Sequence, residues 1–205
     1  MATSSDRAVL LVPHTRREGN IASAARATEL LLEAGFTVRL LGDEELPYAG
    51  NYPALDELCR VEPDDHAAEG CELVLVLGGD GTFLRAAGFA RAQDVPVLGI
   101  NLGHIGFLAE WEEDSLETAI RRVIDREYSL NSRMTIDVTV HDHNNDLVGT
   151  GWALNEASLE NLDRRGVLDA ILEVDLRPVS SFGCDGVLIS TPTGSTAYAF
   201  SAGGP

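Results

Sequence analysis

The chain has 205 residues, 44% apolar and 23% charged, and its 33 acidic and 15 basic side chains give a net charge of −18. All 15 basic residues are arginine, which excludes chemistry that needs a lysine, such as a Schiff base or a Walker A loop. The acidity argues against a nucleic acid or an anionic membrane surface as a partner, because both attract basic proteins.

The spacing of the cysteines and the length of the apolar runs indicate where in the cell the protein is located. Cys59, Cys71 and Cys184 are widely spaced and form no CxxC motif, so we expect free, mostly buried thiols in a reducing compartment. No run approaches the roughly 18 apolar residues of a membrane span. The sequence therefore predicts a cytoplasmic protein.

The first elements alternate between strand-like and helix-like patterns. Residues 8–12 and 37–41 are short apolar runs typical of buried parallel strands. Between them, apolar residues recur at helical spacing, in a helix that Asn20 would cap and Gly35 would end. Residues 43–66 are acidic and rich in proline, which predicts a long connection with one short helix.

The same alternation continues to about residue 130. Residues 73–77 and 95–100 read as buried strands, and the stretch 83–92 between them as a helix. A further helix follows, with Asp114 or Ser115 as its cap. This order predicts a parallel sheet with helices on both faces.

The pattern changes near residue 130. Residues 134–141 alternate with period two, as in a half-buried antiparallel strand. Strands are predicted again at 147–154, 168–176 and 186–190. We therefore expect an α/β domain over residues 1–130 and the start of a β-rich domain over residues 131–205.

The most informative local pattern is Gly-Gly-Asp-Gly-Thr at 78–82, which directly follows a predicted strand. Glycines allow backbone N–H groups to approach an anion, and the next helix aims its dipole at the same point. The charge of Asp80 would repel a phosphate, but it suits a base or a magnesium ligand beside a transferring phosphoryl group. A tight turn with a capping aspartate is the alternative that the spacing leaves open.

Two further segments predict a polar, uncharged ligand. Asn155 and Glu156 follow a predicted strand and suit the paired hydroxyls of a ribose, although an exposed strand end would look the same. Residues 183–205 are dense in serine, threonine and glycine, which suits a nucleoside but is also typical of a turn-rich loop.

Taken together, these segments resemble the NAD kinase family. The resemblance lies in Gly-Gly-Asp-Gly-Thr at 78–82, Asn-Leu-Gly-His-Ile-Gly-Phe at 101–107, Asn155-Glu156, Asp185-Gly186 and Ser-Thr-Ala-Tyr at 195–198, in that order and spacing. It implies a Rossmann-like parallel sheet in the first domain, a β-sandwich-like second domain and an active site between them. The implied reaction is phosphoryl transfer from ATP or polyphosphate to the 2′-hydroxyl of the adenosine ribose of NAD, giving NADP. Members of the family continue for many tens of residues beyond the equivalent of Pro205, so we expect a C-terminally truncated chain with an incomplete second domain.

The resemblance also implies roles for individual residues. Asp80 is the base that takes the proton of the 2′-hydroxyl. Residues 81–82 lie near the donor phosphates, residues 107–108 near the adenine, residues 155–156 at the ribose and residue 185 at the nicotinamide end. The full set of implied substrate-binding residues is Gly81, Thr82, Arg85, Phe107, Leu108, Asn155, Glu156, Asp185, Thr193, Thr196, Ala197, Tyr198 and Ser201.

The family resemblance extends to the cofactor and the assembly. It implies Mg²⁺ or another divalent cation bound with the phosphate donor, and a homo-oligomer, either a dimer or a tetramer. Two alternatives remain at this point, a non-catalytic dinucleotide-binding fragment and a relative of the lipid kinases that share the glycine-rich loop. The continuation Phe-Leu-Arg-Ala-Ala at 83–87 resembles NAD kinases more than lipid kinases.

Overall fold

Short apolar runs in the first half of the chain form the strands of one sheet in a computed structural model. The structure describes residues 7–15, 18–47, 49–102, 108, 111–112, 115–162 and 166–204. The chain divides into two compact units, Met1–Leu130 and Asn131–Pro205. Among the described helices, none has both the length and the apolar character that crossing a membrane requires.

The first unit is built on a parallel sheet. Its described strands are β1 (Ala8–Pro13), β2 (Thr37–Leu41), β3 (Cys59–Val61), β4 (Leu73–Leu77), β5 (Val97–Asn101) and β6 (Trp111–Glu112). They lie in the order β3-β2-β1-β4-β5-β6, and every neighbouring pair is parallel. The order reverses between β1 and β4, and sheets of this kind open a crevice at the carboxyl ends of the strands at that point.

Helices cover both faces of this sheet, as predicted. They are α1 (Glu18–Glu33), α2 (Asp80–Ala92) and α3 (Leu116–Asp125). Val9 and Leu11 of β1 belong to the core cluster that contains residues of α1 and α3, whereas Leu10 and Val12 belong to the cluster that contains residues of α2. Because successive side chains of a strand point to opposite faces, β1 is buried on both sides, which explains its unbroken apolar sequence.

The structure corrects the predicted start of α1 and the predicted connection after β2. The helix begins at Glu18, so Asn20 lies inside its first turn and does not cap it. Gly35 follows the end of α1 with a φ of +82°, the left-handed conformation that glycine adopts without strain. The connection at 43–66 contains two 3₁₀ segments and the short strand β3, which sequence analysis did not predict.

Further boundaries in the first unit differ from the prediction. Helix α2 begins at Asp80, three residues earlier than expected, and β5 covers Val97–Asn101 and not 95–100. Ser115 occupies the N-cap position of α3 but makes no capping hydrogen bond through its side chain. The other predicted cap, Asp114, lies outside the described residues.

An ion pair at the amino edge of the sheet joins the start of β1 to the start of β4. Arg7 donates two hydrogen bonds of 2.6 Å to the Glu72 carboxylate. The same guanidinium donates to the carbonyls of Val123 and Ile124 at the end of α3, at 2.8 and 2.7 Å, and lies 4.1 Å from the centre of the Phe36 ring. The hydrogen bonds from Arg7 are the chief reason why the pKa of Glu72 is held below its usual range. This cluster anchors α3 to the sheet.

The cysteines are all free, but their burial differs from the prediction. Cys71 is buried, and loss of solvent raises the pKa of its thiol. Cys184 is half-buried, and Cys59 is exposed because it lies on the edge strand β3. The prediction of mostly buried thiols is therefore right for Cys71 and wrong for Cys59.

The second unit consists of antiparallel strand pairs, which confirms the predicted β-rich character. The pairs are β7 (Ile136–His141) with β8 (Leu147–Ala153), β9 (Glu156–Glu160) with β12 (Gly186–Ser190), and β10 (Leu168–Val174) with β11 (Arg177–Cys184). The predicted strand at 168–176 ends at Val174, because Asp175 and Leu176 form a turn with φ values of 50° and 64°. A short helix, α4 (Tyr198–Ser201), follows β12.

The two units differ in how much apolar surface they bury. The buried apolar side chains lie almost entirely in the first unit, whereas the described large apolar side chains that remain exposed begin at Tyr128 and continue through the second unit. Ile171 and Val179, on the paired strands β10 and β11, are 69% and 62% exposed. The hydrophobic core is therefore centred on the parallel sheet.

Candidate active site

The carboxyl end of β4 leads directly into the first turn of α2. A Cβ on Gly78 would lie 2.8 Å from the Thr82 hydroxyl oxygen and 3.0 Å from the Cβ of His14, so only glycine fits between them. Gly79 is the N-cap of α2 and supplies no side-chain cap. The first N–H groups of the helix and its positive dipole end therefore lie beside the point where the strand order reverses, which favours an anion there.

Asp80 is the first residue of α2, and its carboxylate is half-buried. Its Oδ1 accepts a hydrogen bond of 3.1 Å from the backbone N–H of Leu108. The structure thus brings together two of the predicted site residues that are 28 positions apart. A carboxylate in the first turn of a helix is stabilised by the helix dipole, so the position of Asp80 is favourable. Phe107 lies outside the described residues.

The other predicted residues of the first unit lie around this turn. Gly81 is exposed, and Thr82 turns its hydroxyl towards Gly78. Arg85, one turn further along α2, forms ion pairs with Glu44 and, at 3.1 Å, with Asp43. Since both carboxylates follow β2, Arg85 connects α2 to the loop at the end of the neighbouring strand.

Two polar residues that sequence analysis did not assign to the site lie at the same edge of the sheet. His14 directly follows β1, and its backbone N–H donates to the carbonyl of Leu77 at 2.8 Å. The Asn20 amide donates to the backbone oxygen of His14 at 2.9 Å and lies 3.0 Å from the ring Nδ1. The signal that could have found His14 is its place immediately after an unbroken apolar strand.

In the second unit, the half-buried residues Asn155 and Glu156 form a polar corner between β8 and β9. Asn155 Oδ1 and Glu156 Oε2 are buried and have no hydrogen-bond partner among the described residues. Buried polar atoms are nearly always hydrogen-bonded in native proteins, and an unsatisfied one calls for an explanation. Two neighbouring acceptors without donors fit a ligand that brings two hydroxyl groups.

A turn at residues 191–197 packs against this corner. The pairing of Ser190 with Glu156 brings the end of β12 next to it. Thr191 donates from its backbone to Asn155 O at 2.8 Å and from its hydroxyl to Leu154 O at 2.5 Å. The same hydroxyl accepts the N–H of Gly194 at 3.0 Å, and a Cβ on Gly194 would overlap the carbonyl of Asn155. Thr191, which the resemblance did not assign, therefore fixes the turn onto the polar corner.

The predicted residues at the end of the chain follow from this turn. Thr193 precedes the 3₁₀ segment Gly194–Thr196, and Ala197 separates this segment from α4, which begins at Tyr198 and ends at Ser201. The structure thus places all five predicted residues on one continuous stretch. They are Thr193, Thr196, Ala197, Tyr198 and Ser201.

Asp185 lies in a separate part of the second unit. Together with Tyr198 and the ends of β9 and β12, it lines a cavity of about 730 Å³, and its backbone oxygen accepts the N–H of Asn161 at 2.9 Å. The structure therefore brings Asp185 and Tyr198 together. Among the described residues, Asn155 and Glu156 do not line this cavity.

Comparison with known families matches both parts of the chain. The family model for the ATP-NAD kinase N-terminal domain matches residues 9–128, and that for the ATP-NAD kinase C-terminal domain matches residues 154–205. The NAD kinase of Corynebacterium efficiens is 65% identical over 205 residues, which are 100% of this chain and 64% of that protein. The NAD kinase of Nocardia farcinica is 54% identical over 216 residues, covering 100% of this chain and 66% of that protein. The chain thus spans about 64% of the length of the first of these relatives.

Solved structures with the same fold are also kinases of nicotinamide dinucleotides. The yeast NADH kinase complexed with NADH superposes with a TM-score of 0.79 at 23% identity, covering 98% of this chain and 62% of that one, which shows the fold. An NAD kinase from Archaeoglobus fulgidus in complex with ATP gives a TM-score of 0.66 at 25% identity, covering 97% of this chain and 66% of that one. These matches support neither of the two alternatives, a non-catalytic dinucleotide-binding fragment and a relative of the lipid kinases.

Proposed function

This chain belongs to the NAD kinase family, and we propose that it transfers a phosphoryl group from ATP or polyphosphate to the 2′-hydroxyl of the adenosine ribose of NAD, giving NADP. Similar proteins along its whole length are named NAD kinases. A structure with the same fold contains ATP, and another contains NADH. NAD and a phosphate donor are therefore the proposed ligands.

The observation that carries this proposal is the pair of buried oxygens on the side chains of Asn155 and Glu156. Their side chains present two acceptor oxygens without donors among the described residues, and the vicinal hydroxyls of a ribose can donate to both when NAD binds, before the proton of the 2′-hydroxyl passes to the base. A hydroxyl that binds Glu156 makes a charge-assisted hydrogen bond, which contributes about 1.5–3 kcal/mol. The turn fixed by Thr191 holds the pair in place before the ligand arrives.

The first unit supplies the groups for the donor phosphates and for proton transfer. The exposed Gly81 and the half-buried Thr82 leave the backbone at the start of α2 accessible to phosphate oxygens. Asp80, oriented by the N–H of Leu108, is the proposed base that takes the 2′-hydroxyl proton as the hydroxyl oxygen attacks the terminal phosphorus. The bond from that phosphorus to the bridging oxygen breaks in the same step, and ADP or a shortened polyphosphate leaves. Phosphoryl transfer depends mainly on such positioning and on charge stabilisation.

The residues present also fit a divalent cation. Within the described ranges, no group of three or more histidine, cysteine, aspartate or glutamate side chains is arranged to hold a metal ion. Mg²⁺ in phosphoryl-transfer sites is commonly held largely by the substrate phosphates, and Asp80, whose Oδ1 already accepts the N–H of Leu108, is the proposed base, so the donor phosphates would supply most of the ligands of the ion. The ion would neutralise charge on the phosphates.

The cellular location and the assembly are part of the same proposal. We infer a cytoplasmic protein from its three free thiols and a homo-oligomer, dimer or tetramer, from its family. Light scattering on the eluate of a sizing column measures the subunit number directly. A monodisperse monomer would contradict the second inference.

The reaction is tested by supplying NAD, Mg²⁺ and either ATP or polyphosphate, and measuring NADP with an NADP-specific dehydrogenase. We expect NADP to form, and Glu156→Gln to reduce its formation at low NAD by tenfold or more. Glu173→Gln, on the exposed strand β10, is the matched control and leaves the rate unchanged. NAD binding without NADP from either donor would contradict the proposed reaction and indicate a binding module.

A further inference from the structure

His14 lies where the strand order of the parallel sheet reverses. It follows β1, and β4 alongside it continues into the glycine-rich turn before α2. A Cβ placed on Gly78 would lie 3.0 Å from the Cβ of His14 and 2.8 Å from the hydroxyl oxygen of Thr82. The backbone and Cβ of His14 therefore lie beside the glycine-rich turn that opens α2, at the edge to which the proposed reaction assigns the donor phosphates.

The Asn20 amide determines which ring nitrogen of His14 carries the proton in the neutral ring. Asn20 Nδ2 lies 2.9 Å from the His14 backbone oxygen, which can only accept, so the NH₂ end of the amide faces His14. The same nitrogen is 3.0 Å from Nδ1, which must therefore be the acceptor of the second N–H. The ring proton is then on Nε2, and the imidazole can donate a hydrogen bond through that atom.

The contact between the Asn20 amide and His14 is partly buried and does not lie on the open surface. Asn20 is 7% exposed and lies within the first turn of α1, although asparagine is a poor helix former. Both N–H groups of its amide act on His14, one on the backbone and one on the ring. Ordering a half-buried imidazole by a buried amide is typical of a site where the ring must keep one orientation.

We propose that His14 donates a hydrogen bond from Nε2 to a phosphate oxygen of the phosphoryl donor, and that Asn20 is the positioning residue that fixes its tautomer and orientation. This inference depends on the proposed function, because it assigns the donor phosphates to the start of α2. The chain has no lysine, and Arg85 is already paired with Asp43 and Glu44. His14 thus adds a side-chain donor to the backbone N–H groups of the turn.

The test measures binding of the donor apart from turnover. Titration calorimetry with inorganic tripolyphosphate and Mg²⁺ reports on the phosphate site, and titration with NAD reports on the dinucleotide site. We expect His14→Ala to weaken tripolyphosphate binding roughly tenfold to a hundredfold, because a hydrogen bond to a charged group is lost. Binding of NAD stays within twofold. His66→Ala, an exposed histidine of the same unit, is the matched control.

Two isosteric variants separate a hydrogen-bond role from a structural one. Glutamine places an amide N–H near the position of Nε2, so His14→Gln should bind tripolyphosphate within about threefold of the wild type. Asparagine is too short to reach, so His14→Asn should behave like His14→Ala. Asn20→Ala should raise KM for ATP several-fold with a smaller change in kcat, because the ring is no longer held.

The outcomes distinguish this inference from the proposed function. Equal tripolyphosphate affinity in the wild type, His14→Ala and His14→Asn, in a chain that makes NADP, would overturn the role of His14 and leave the proposed function in place. Tripolyphosphate binding that depends on His14, in a chain that makes no NADP, would support the phosphate site and contradict the proposed reaction. If His14→Ala fails to fold, the comparison of His14→Gln with His14→Asn decides the question.

Discussion

Replacement of Glu156 by glutamine should stabilise the free protein and weaken its ligand binding at the same time. Glu156 Oε2 is a buried carboxylate oxygen without a donor among the described residues, and such an atom costs about 1–3 kcal/mol of folding free energy. Only one of the two oxygens is in this situation, so the lower end of the range applies. We expect Glu156→Gln to raise the free energy of unfolding by about 1 kcal/mol.

The same substitution removes the charge that strengthens a hydrogen bond to a ribose hydroxyl. The loss of about 1.5–3 kcal/mol corresponds to roughly tenfold to a hundredfold weaker NAD binding. Scanning calorimetry without ligand and with saturating NAD measures both effects in one experiment. For a unit the size of residues 131–205, 1 kcal/mol shifts the midpoint by about 4–8 °C. The variant should therefore melt later than the wild type without NAD and gain less from it.

Glu173→Gln on the exposed face of β10 is the control, and its effect should remain within about 0.5 kcal/mol. A lower melting temperature for Glu156→Gln, with unchanged NAD affinity, would show that the carboxylate has a structural partner in solution. The assignment of this corner to ribose would then be wrong.

Three other predictions follow from the structure. Asp80→Asn should reduce kcat by roughly 10²–10⁴-fold, while the Kd for NAD stays within about threefold. Steady-state kinetics measures the first effect. A kcat of the variant within twofold of the wild-type value would show that Asp80 is not the base. Because Arg7 holds the pKa of Glu72 below its unfolded value, the ion pair stabilises the protein above about pH 4.5 and this contribution is lost as the pH falls towards the folded pKa. Urea unfolding at pH 7 and pH 3.5 should therefore show a smaller pH effect in Arg7→Ala than in the wild type, and equal pH effects would contradict the pairing. Hydrogen exchange should show strong protection in β1 and β4 and weak protection in the β10–β11 pair, whose apolar residues are exposed, and uniform protection would refute this contrast.

The central strands were predictable from the sequence because their environment is uniform. β1 and β4 are buried on both faces, so nearly every residue must be apolar and the run stands out. β3 was not predictable because it has only three residues, lies at an edge and includes the charged Arg60. β11 was not predicted for a similar reason, since every residue except the last is exposed and the strand contains Pro178 and two serines.

The candidate site was predictable where it depends on residue types and not where it depends on packing. Asp80 and the pair Asn155–Glu156 stand out as polar residues directly after apolar strands. Two hydrogen bonds of the site join segments that are far apart in sequence, so no local pattern contains them. They run from the N–H of Leu108 to Asp80 and from the N–H of Thr191 to Asn155 O. Asn20 was expected to cap a helix, but the structure turns its amide towards His14, which only the packing of α1 against the end of β1 determines.

The position of His14 at the end of a strand has a consequence for the entropy of ligand binding. β1 is paired with β2 as far as Leu11 and with β4 as far as Pro13, and the N–H of His14 continues the second ladder to Leu77 O, so this residue cannot shift without breaking that ladder. A group mounted there loses little motional freedom when a ligand arrives, unlike a group on a surface loop, which must be immobilised at a cost of roughly 0.5–1.5 kcal/mol per side chain. The backbone that carries His14 is thus ordered before binding, which keeps the entropic cost of the proposed phosphate contact small.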